Sequence, residues 1–198
     1  EAHNNNITID CNGTRIQADD LNDPITGEAV FSIVRNGVII KNCNMSHYRA
    51  AISIDFDINN TLLYNNTFSL IRDAAITVSS ASQNLTVVEN NFTNSSNAIA
   101  NGTVINIGAA IGRGLVNLNF SHNKISLFQR GLELINTGNH TIINNTIIDS
   151  TLFGILLSNS SNNTLMFNNI SNNTEGIIIS SGNLRNITLP DLNCTEPF

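Results

Sequence analysis

Asn163-Thr-Leu-Met-Phe-Asn-Asn-Ile-Ser-Asn-Asn-Thr-Glu-Gly-Ile-Ile-Ile-Ser-Ser-Gly-Asn183 holds short apolar runs divided by asparagine pairs. Its apolar and polar residues alternate, and no 3.6-residue period follows, so the runs read as strands. Asn-Asn, Ser-Asn and Gly-Asn read as corners, because Asn and Gly tolerate left-handed backbone. The segment just before it has the same form: His140-Thr-Ile-Ile-Asn-Asn-Thr-Ile-Ile-Asp-Ser-Thr-Leu-Phe-Gly-Ile-Leu-Leu-Ser-Asn-Ser-Ser-Asn162. Earlier copies begin near Val38, Asn60, Asn84 and Leu115.

Two columns fix the period. A polar column runs Cys43, Asn66, Asn90, Asn123, Asn145, Asn168, with spacings of 23, 24, 33, 22 and 23. A column of small residues runs Ala51, Ala75, Ala98, Gly131, Gly154, Gly176, spaced 24, 23, 33, 23 and 22. Both break at the same place, so one copy carries about ten extra residues, placed near 99–114. Leucine-rich repeats share this period but need Leu at fixed offsets; here Ile dominates. Each unit therefore reads as one coil of a parallel β-helix, two or three short strands with tight corners.

The unit Asn163–Asn183 resembles the parallel β-helix repeat of the NosD-like and pectin-lyase-like families, and residues 38–162 follow it in degenerate form. The expected fold is all-β: a single-stranded parallel β-helix, right-handed by that resemblance and by the usual crossover chirality. About 7–8 coils of 22–24 residues fit the 198 residues, in a rod roughly 35 Å tall at ~4.8 Å per coil. Residues 1–198 are expected to form one domain: irregular coils over 1–37 with a loop at 17–28, repeats over 38–183, and a final coil and tail over 184–198. Leu165, Ile170, Ile177 and Ile179 should stack on Ile142, Ile147, Ile155 and Leu157. Asn66, Asn90, Asn123, Asn145 and Asn168 should form an inward ladder below Cys43, satisfying amides that are costly to bury unpaired.

Composition narrows the function. Charged residues make up 12% of the chain, against about 25% in ordinary domains. A net charge of −6 with scattered Arg argues against nucleic acid. No apolar run of about 18 residues is present, so no membrane span is expected. No signal-peptide pattern is seen, and Glu1-Ala2-His3 is consistent with a trimmed mature start.

The chain contains 36 Asn, and 18 of them head Asn-x-Ser/Thr sequons: Asn6, Asn12, Asn44, Asn59, Asn65, Asn84, Asn91, Asn94, Asn101, Asn119, Asn139, Asn144, Asn159, Asn162, Asn169, Asn172, Asn186 and Asn193. Random placement would give about six. Corner chemistry alone can generate Asn-Asn-Thr, yet none of the five ladder asparagines heads a sequon. Inward Asn cannot carry a sugar and outward Asn can. Covalent N-glycans are therefore expected, on a secreted protein of a cell that N-glycosylates extracellular proteins: an archaeon, a eukaryote or a virus of either, an archaeal cell foremost. No other cofactor is expected.

Three cysteines, Cys11, Cys43 and Cys194, leave an odd thiol. Cys11 and Cys194 lie at opposite ends of the rod and could join successive copies; Cys11 with Cys43 would instead bridge neighbouring coils. No amphipathic helix caps the ends, which favours head-to-tail stacking of the chain on itself.

Catalytic signals are weak. Asp55 and Asp57 would project on one side of a strand and are a weak Ca²⁺ candidate. Asp55 and Asp57 are also the best candidate for carboxylate catalysis; Asp19, Asp20 and Asp23 form an acidic loop that fits turn chemistry or a cation site, and Arg35, Lys41 and Arg49 in the same early coils could serve a lyase-like site with such carboxylates. Arg72, Asp73 and Arg113 read as surface ion pairs. His3, His47, His122 and His140 are scattered without a transition-metal motif, so the copper association of the NosD name does not transfer. The leading expectation is a non-enzymatic, heavily N-glycosylated extracellular protein that stacks into a filament, sheath or surface layer. The alternative is a pectin-lyase-like module that binds or cleaves polysaccharide; an adhesin stalk is a third.

Overall fold

The computed structural model describes residues 5–18, 29–79, 82–94, 103–107, 116–180, 187–188 and 193–195. Among them every regular element is a β-strand. The chain winds through β1 (Thr8–Asp10), β2 (Arg15–Gln17) and β3 (Phe31–Ile33), then β4 (Ile39–Lys41), β5 (Asn44–Ser46) and β6 (Ala50–Ile54). It continues with β7 (Asn59–Tyr64), β8 (Thr67–Ser69), β9 (Ala74–Val78), β10 (Gln83–Val88), β11 (Asn91–Thr93) and β12 (Thr103–Ile107). β13 (Val116–Ser121), β14 (Lys124–Ser126), β15 (Arg130–Ile135), β16 (Thr141–Ile143), β17 (Thr146–Ile148) and β18 (Phe153–Ser158) follow. β19 (Asn163–Met166), β20 (Asn169–Ser171), β21 (Glu175–Ser180), β22 (Ile187–Thr188) and β23 (Asn193–Thr195) complete it.

Every third strand pairs in parallel. The first sheet runs β1-β4-β7-β10-β13-β16-β19-β22, the second β2 through β23, and the third β3 through β21. This is a three-sided parallel β-solenoid. Six regular turns run from β4 to β21; the larger count of 7–8 is reached only by adding β1–β3 and the β22–β23 pair.

Period-two alternation fills the core. Ile142 pairs with Leu165, Ile147 with Ile170, Ile155 with Ile177 and Leu157 with Ile179; against expectation the last two are not enclosed, Ile177 being half-buried and Ile179 40% exposed. Phe68 and Phe92 stack at 4.6 Å between ring centroids, and Phe120 follows at 6.3 Å.

One boundary differs from expectation. The segment assigned to an insertion, 99–114, contains β12, paired with β9 and β15. Nine residues separate β11 from β12, against four between β8 and β9; eight separate β12 from β13, against four between β9 and β10. The extra residues are thus divided on either side of a regular strand. The small-residue column passes through buried Val104, not Ala98, which lies outside the described residues. Further along that column a Cβ on Gly131 would collide with the Gly154 carbonyl oxygen, so glycine is required there.

Candidate functional site

The corner between the first and second sheets is built from two residues. The first adopts left-handed backbone: Asn42, Asn65, Glu89, His122, Asn144 and Phe167 have φ of 56, 50, 57, 57, 54 and 54°. That conformation turns the next side chain into the core. Cys43, Asn66, Asn90, Asn123, Asn145 and Asn168 occupy this second position, each 1% exposed.

The five asparagines form a continuous ladder. Asn90 Oδ1 accepts from Asn66 N–H (2.8 Å) and Nδ2 (3.0 Å), Asn123 Oδ1 from Asn90, Asn145 Oδ1 from Asn123, and Asn168 Oδ1 from Asn145. Their Nδ2 groups also donate to core carbonyls, among them Ile40, Leu63, Val87, Phe120 and Ile142. Cys43 N–H closes the top by donating to Asn66 Oδ1 at 3.0 Å.

Two further inward groups were not foreseen. Asn163 Oδ1 accepts from His140 N–H at 3.1 Å, and His140 Nδ1 accepts from Leu118 N–H at 3.1 Å. With Nδ1 accepting, Nε2 carries the hydrogen and donates to Thr137 Oγ1 at 2.9 Å. Burial lowers the His140 pKa from 6.5 to about 4. Asn173 Oδ1 caps Ser150 N–H while its Nδ2 donates to Ile147 O.

A second set of ladders runs outside. Asn65 Nδ2 donates to Asn42 Oδ1 at 2.8 Å, Asn84 to Asn60 at 3.1 Å, Asn117 to Asn84 at 3.0 Å and Asn159 to Asn136 at 2.8 Å. The first of these begins at Asp10. A hydrogen bond from Asn42, the Asn12 N–H and Lys41 at 3.2 Å hold its carboxyl near pKa 2.

The sequon asparagines divide by exposure. Asn101 and Asn186 lie outside the described residues, and of Asn193 only the backbone, in β23, is described. Of the other fifteen, twelve are exposed: Asn6, Asn12, Asn65, Asn84, Asn91, Asn119, Asn139, Asn144, Asn159, Asn162, Asn169 and Asn172. Asn44 and Asn59 are half-buried. Asn94 is a correction: it is 5% exposed and its Nδ2 donates to Ile71 O at 2.9 Å, so in the folded rod it has no room for a sugar.

The cysteines correct a second expectation. Cys11 and Cys43 are joined in a disulfide, their Cα atoms 4.8 Å apart, because β1 lies beside β4. Cys11 is therefore not the partner of Cys194, which sits in β23 beside Ile170 in the last turn.

The candidate catalytic residues do not converge. Asp55 and Asp57 do not share a strand: β6 ends at Ile54, Asp55 Oδ1 accepts from Phe56 N–H, and Asp57 turns left-handed at φ 57°. Of the candidate cations, Arg49 pairs with Asp73 at 2.7 Å and Lys41 with Asp10 at 3.2 Å, while Arg35 Nη1 donates to Val34 O at 2.9 Å; Arg72 also meets Asp73, at 3.1 Å. Asp19, Asp20, Asp23, His3 and Arg113 lie outside the described residues. Among the described residues no group of three or more His, Cys, Asp or Glu is placed to hold a metal, and no helix is long and apolar enough to cross a membrane.

Comparison with known proteins agrees with the coil. The family described as "Periplasmic copper-binding protein (NosD)" matches residues 113–189. Copper favours thiolate, thioether and imidazole ligands. Among the described residues of this segment no three His, Cys, Asp or Glu are grouped and both His140 nitrogens are engaged within the core, so these residues do not fit a copper site. The crystal structure of PfbA, a surface adhesin of Streptococcus pneumoniae, superposes with a TM-score of 0.62 at 14% identity over 82% of this chain. The aligned part is 43% of that chain, so this chain spans less than half of the adhesin structure. A second structure of PfbA, a surface protein and adhesin of the same organism, aligns over 96% of this chain and 67% of that one, with 9% identity and a TM-score of 0.43. No curated protein matches in sequence.

Proposed function

We propose that the protein is an extracellular, N-glycosylated surface rod whose role is structural and adhesive, not catalytic. The observation that carries this reading is the partition of asparagines. Of the eight buried among the described residues, Asn66, Asn90, Asn94, Asn123, Asn145, Asn163, Asn168 and Asn173, only Asn94 heads a sequon. Half of all the asparagines do, and the exposed ones supply most of them. The Cys11–Cys43 disulfide supports an oxidising compartment. Among the described residues Asp55 and Asp57 do not share a strand, which counts against a lyase working with that pair. The likeness to PfbA, a surface adhesin, points the same way, as does the match to a family named for a periplasmic protein.

Assembly is the finer part of the proposal. Rods that hydrogen-bond turn to turn can extend by the same pairing between copies, a heterologous contact that makes filaments. With Cys11 committed within the chain, such stacking rests on strand pairing and not on a Cys11–Cys194 bond. The test is the native cell. Antibody should label the protein on intact cells, and deglycosylation should increase its gel mobility. Labelling only after lysis, with unchanged mobility, would overturn the proposal.

A further inference from the structure

The exposed sequons fall into two backbone classes that the sequence does not distinguish. Nine of them, Asn6, Asn12, Asn65, Asn84, Asn139, Asn144, Asn159, Asn162 and Asn172, have left-handed backbone with φ between 47 and 61°, Asn84 within β10 and the rest at corners. Asparagine is the residue such corners favour after glycine, and the following strand favours Thr two positions on, so corner chemistry accounts for these sequons without sugar. The remaining three, Asn91, Asn119 and Asn169, lie inside strands β11, β13 and β20 with ordinary extended backbone. Asparagine is depleted in strands. In register beside them stand Thr67, Lys124, Thr146 and Asn193 in the second sheet and Thr86 and Thr141 in the first, so these positions also accept Thr and Lys. No left-handed backbone calls for Asn there, and none of the three Nδ2 groups meets an acceptor among the described residues.

We infer that Asn91, Asn119 and Asn169 are the principal glycan carriers, a selection that rests on the glycosylation reading and refines it. On a strand, residues i and i+2 share a face. Thr93, Ser121 and Ser171 therefore flank the amides they serve, and Thr93 Oγ1 donates to Asn91 Oδ1 at 3.2 Å. In the transfer, Nδ2 bonds to C1 of an oligosaccharide carried on a lipid diphosphate. The C1–O bond breaks, the lipid diphosphate leaves with the electron pair, and Nδ2 releases one proton to the transferase. Spacing suits the product. Asn91 and Asn169 are three turns apart in the second sheet, about 14 Å, with Asn119 between them on the first, whereas Asn139 and Asn162 occupy consecutive turns about 4.8 Å apart.

Site-resolved glycopeptide mass spectrometry of the protein from its native host tests this. Sugar at Asn91, Asn119 and Asn169, exceeding that at the corner sequons, is expected. Sugar confined to the corners overturns the selection and leaves the glycosylation reading standing; no sugar at any sequon overturns both. In the unglycosylated chain, Asn91→Thr and Asn169→Thr should leave Tm unchanged or raise it, while Asn144→Thr lowers it. An equal drop in all three would give the strand asparagines a structural reason and sink the inference.

Discussion

Replacing Asn145 by Leu removes the centre of the inner ladder while keeping the side chain's branched shape. Its Oδ1 accepts from Asn123 N–H at 2.9 Å and Asn123 Nδ2 at 3.2 Å, and its Nδ2 donates to Phe120 O, Ile143 O and Asn168 Oδ1 at 2.9, 3.0 and 2.9 Å. Asn168 Oδ1 keeps the Asn145 N–H, and Asn123 Nδ2 keeps Val87 O. The Asn123 N–H loses its acceptor and the Phe120 carbonyl loses a donor, both in the core. At about 1–3 kcal/mol for each buried group left unsatisfied, the cost is roughly 2–6 kcal/mol. Asn144→Leu is the matched control: it sits one residue away, exposed, and loses little beyond the left-handed preference of Asn, about 1 kcal/mol. Urea unfolding followed by far-UV circular dichroism measures both. A midpoint for Asn145→Leu no lower than that of Asn144→Leu would refute the ladder as a source of stability.

Other expectations follow from single residues. Unfolded His140 binds a proton below its ordinary 6.5, while the folded imidazole waits until about 4; between these values the unfolded chain holds more protons. Stability is therefore full above about 6.5 and falls toward pH 4, by about 3 kcal/mol, and His140→Asn should flatten that part of a urea-midpoint profile against pH. Phe167, left-handed and 52% exposed, should gain about 1 kcal/mol on replacement by Asn, seen as a Tm a few degrees higher. Converting Cys11 and Cys43 to Ser opens a loop with a sequence separation of 32 and should cost roughly 3–4 kcal/mol, measured by urea unfolding of the oxidised parent and the double variant.

The coil was legible because its signals recur. A period near 23 sets Ile142 over Leu165 and Asn145 over Asn168, and each repeat reinforces the others. What could not be read depends on backbone conformation or on mixed columns. Asn144 and Asn169 both head sequons, yet one is a corner at φ 54° and the other an extended strand residue. His140 and Asn163 share an inward column with Leu118, and so varied a column leaves no periodic trace. β12 was missed because Ala98 matched the expected spacing, while the strand that continues the sheet lies a few residues on. Cys11–Cys43 was one of two open pairings, since only the β1–β4 contact brings those sulfurs together.

Intact mass spectrometry of the native protein under non-reducing conditions, before and after deglycosylation, tests the central claim most directly. The account predicts a mass above that of the polypeptide by whole glycan units, which deglycosylation removes, and a Cys11–Cys43 bond within one chain. A mass equal to the bare polypeptide, with Cys11 linked to Cys194 of another copy, would contradict it.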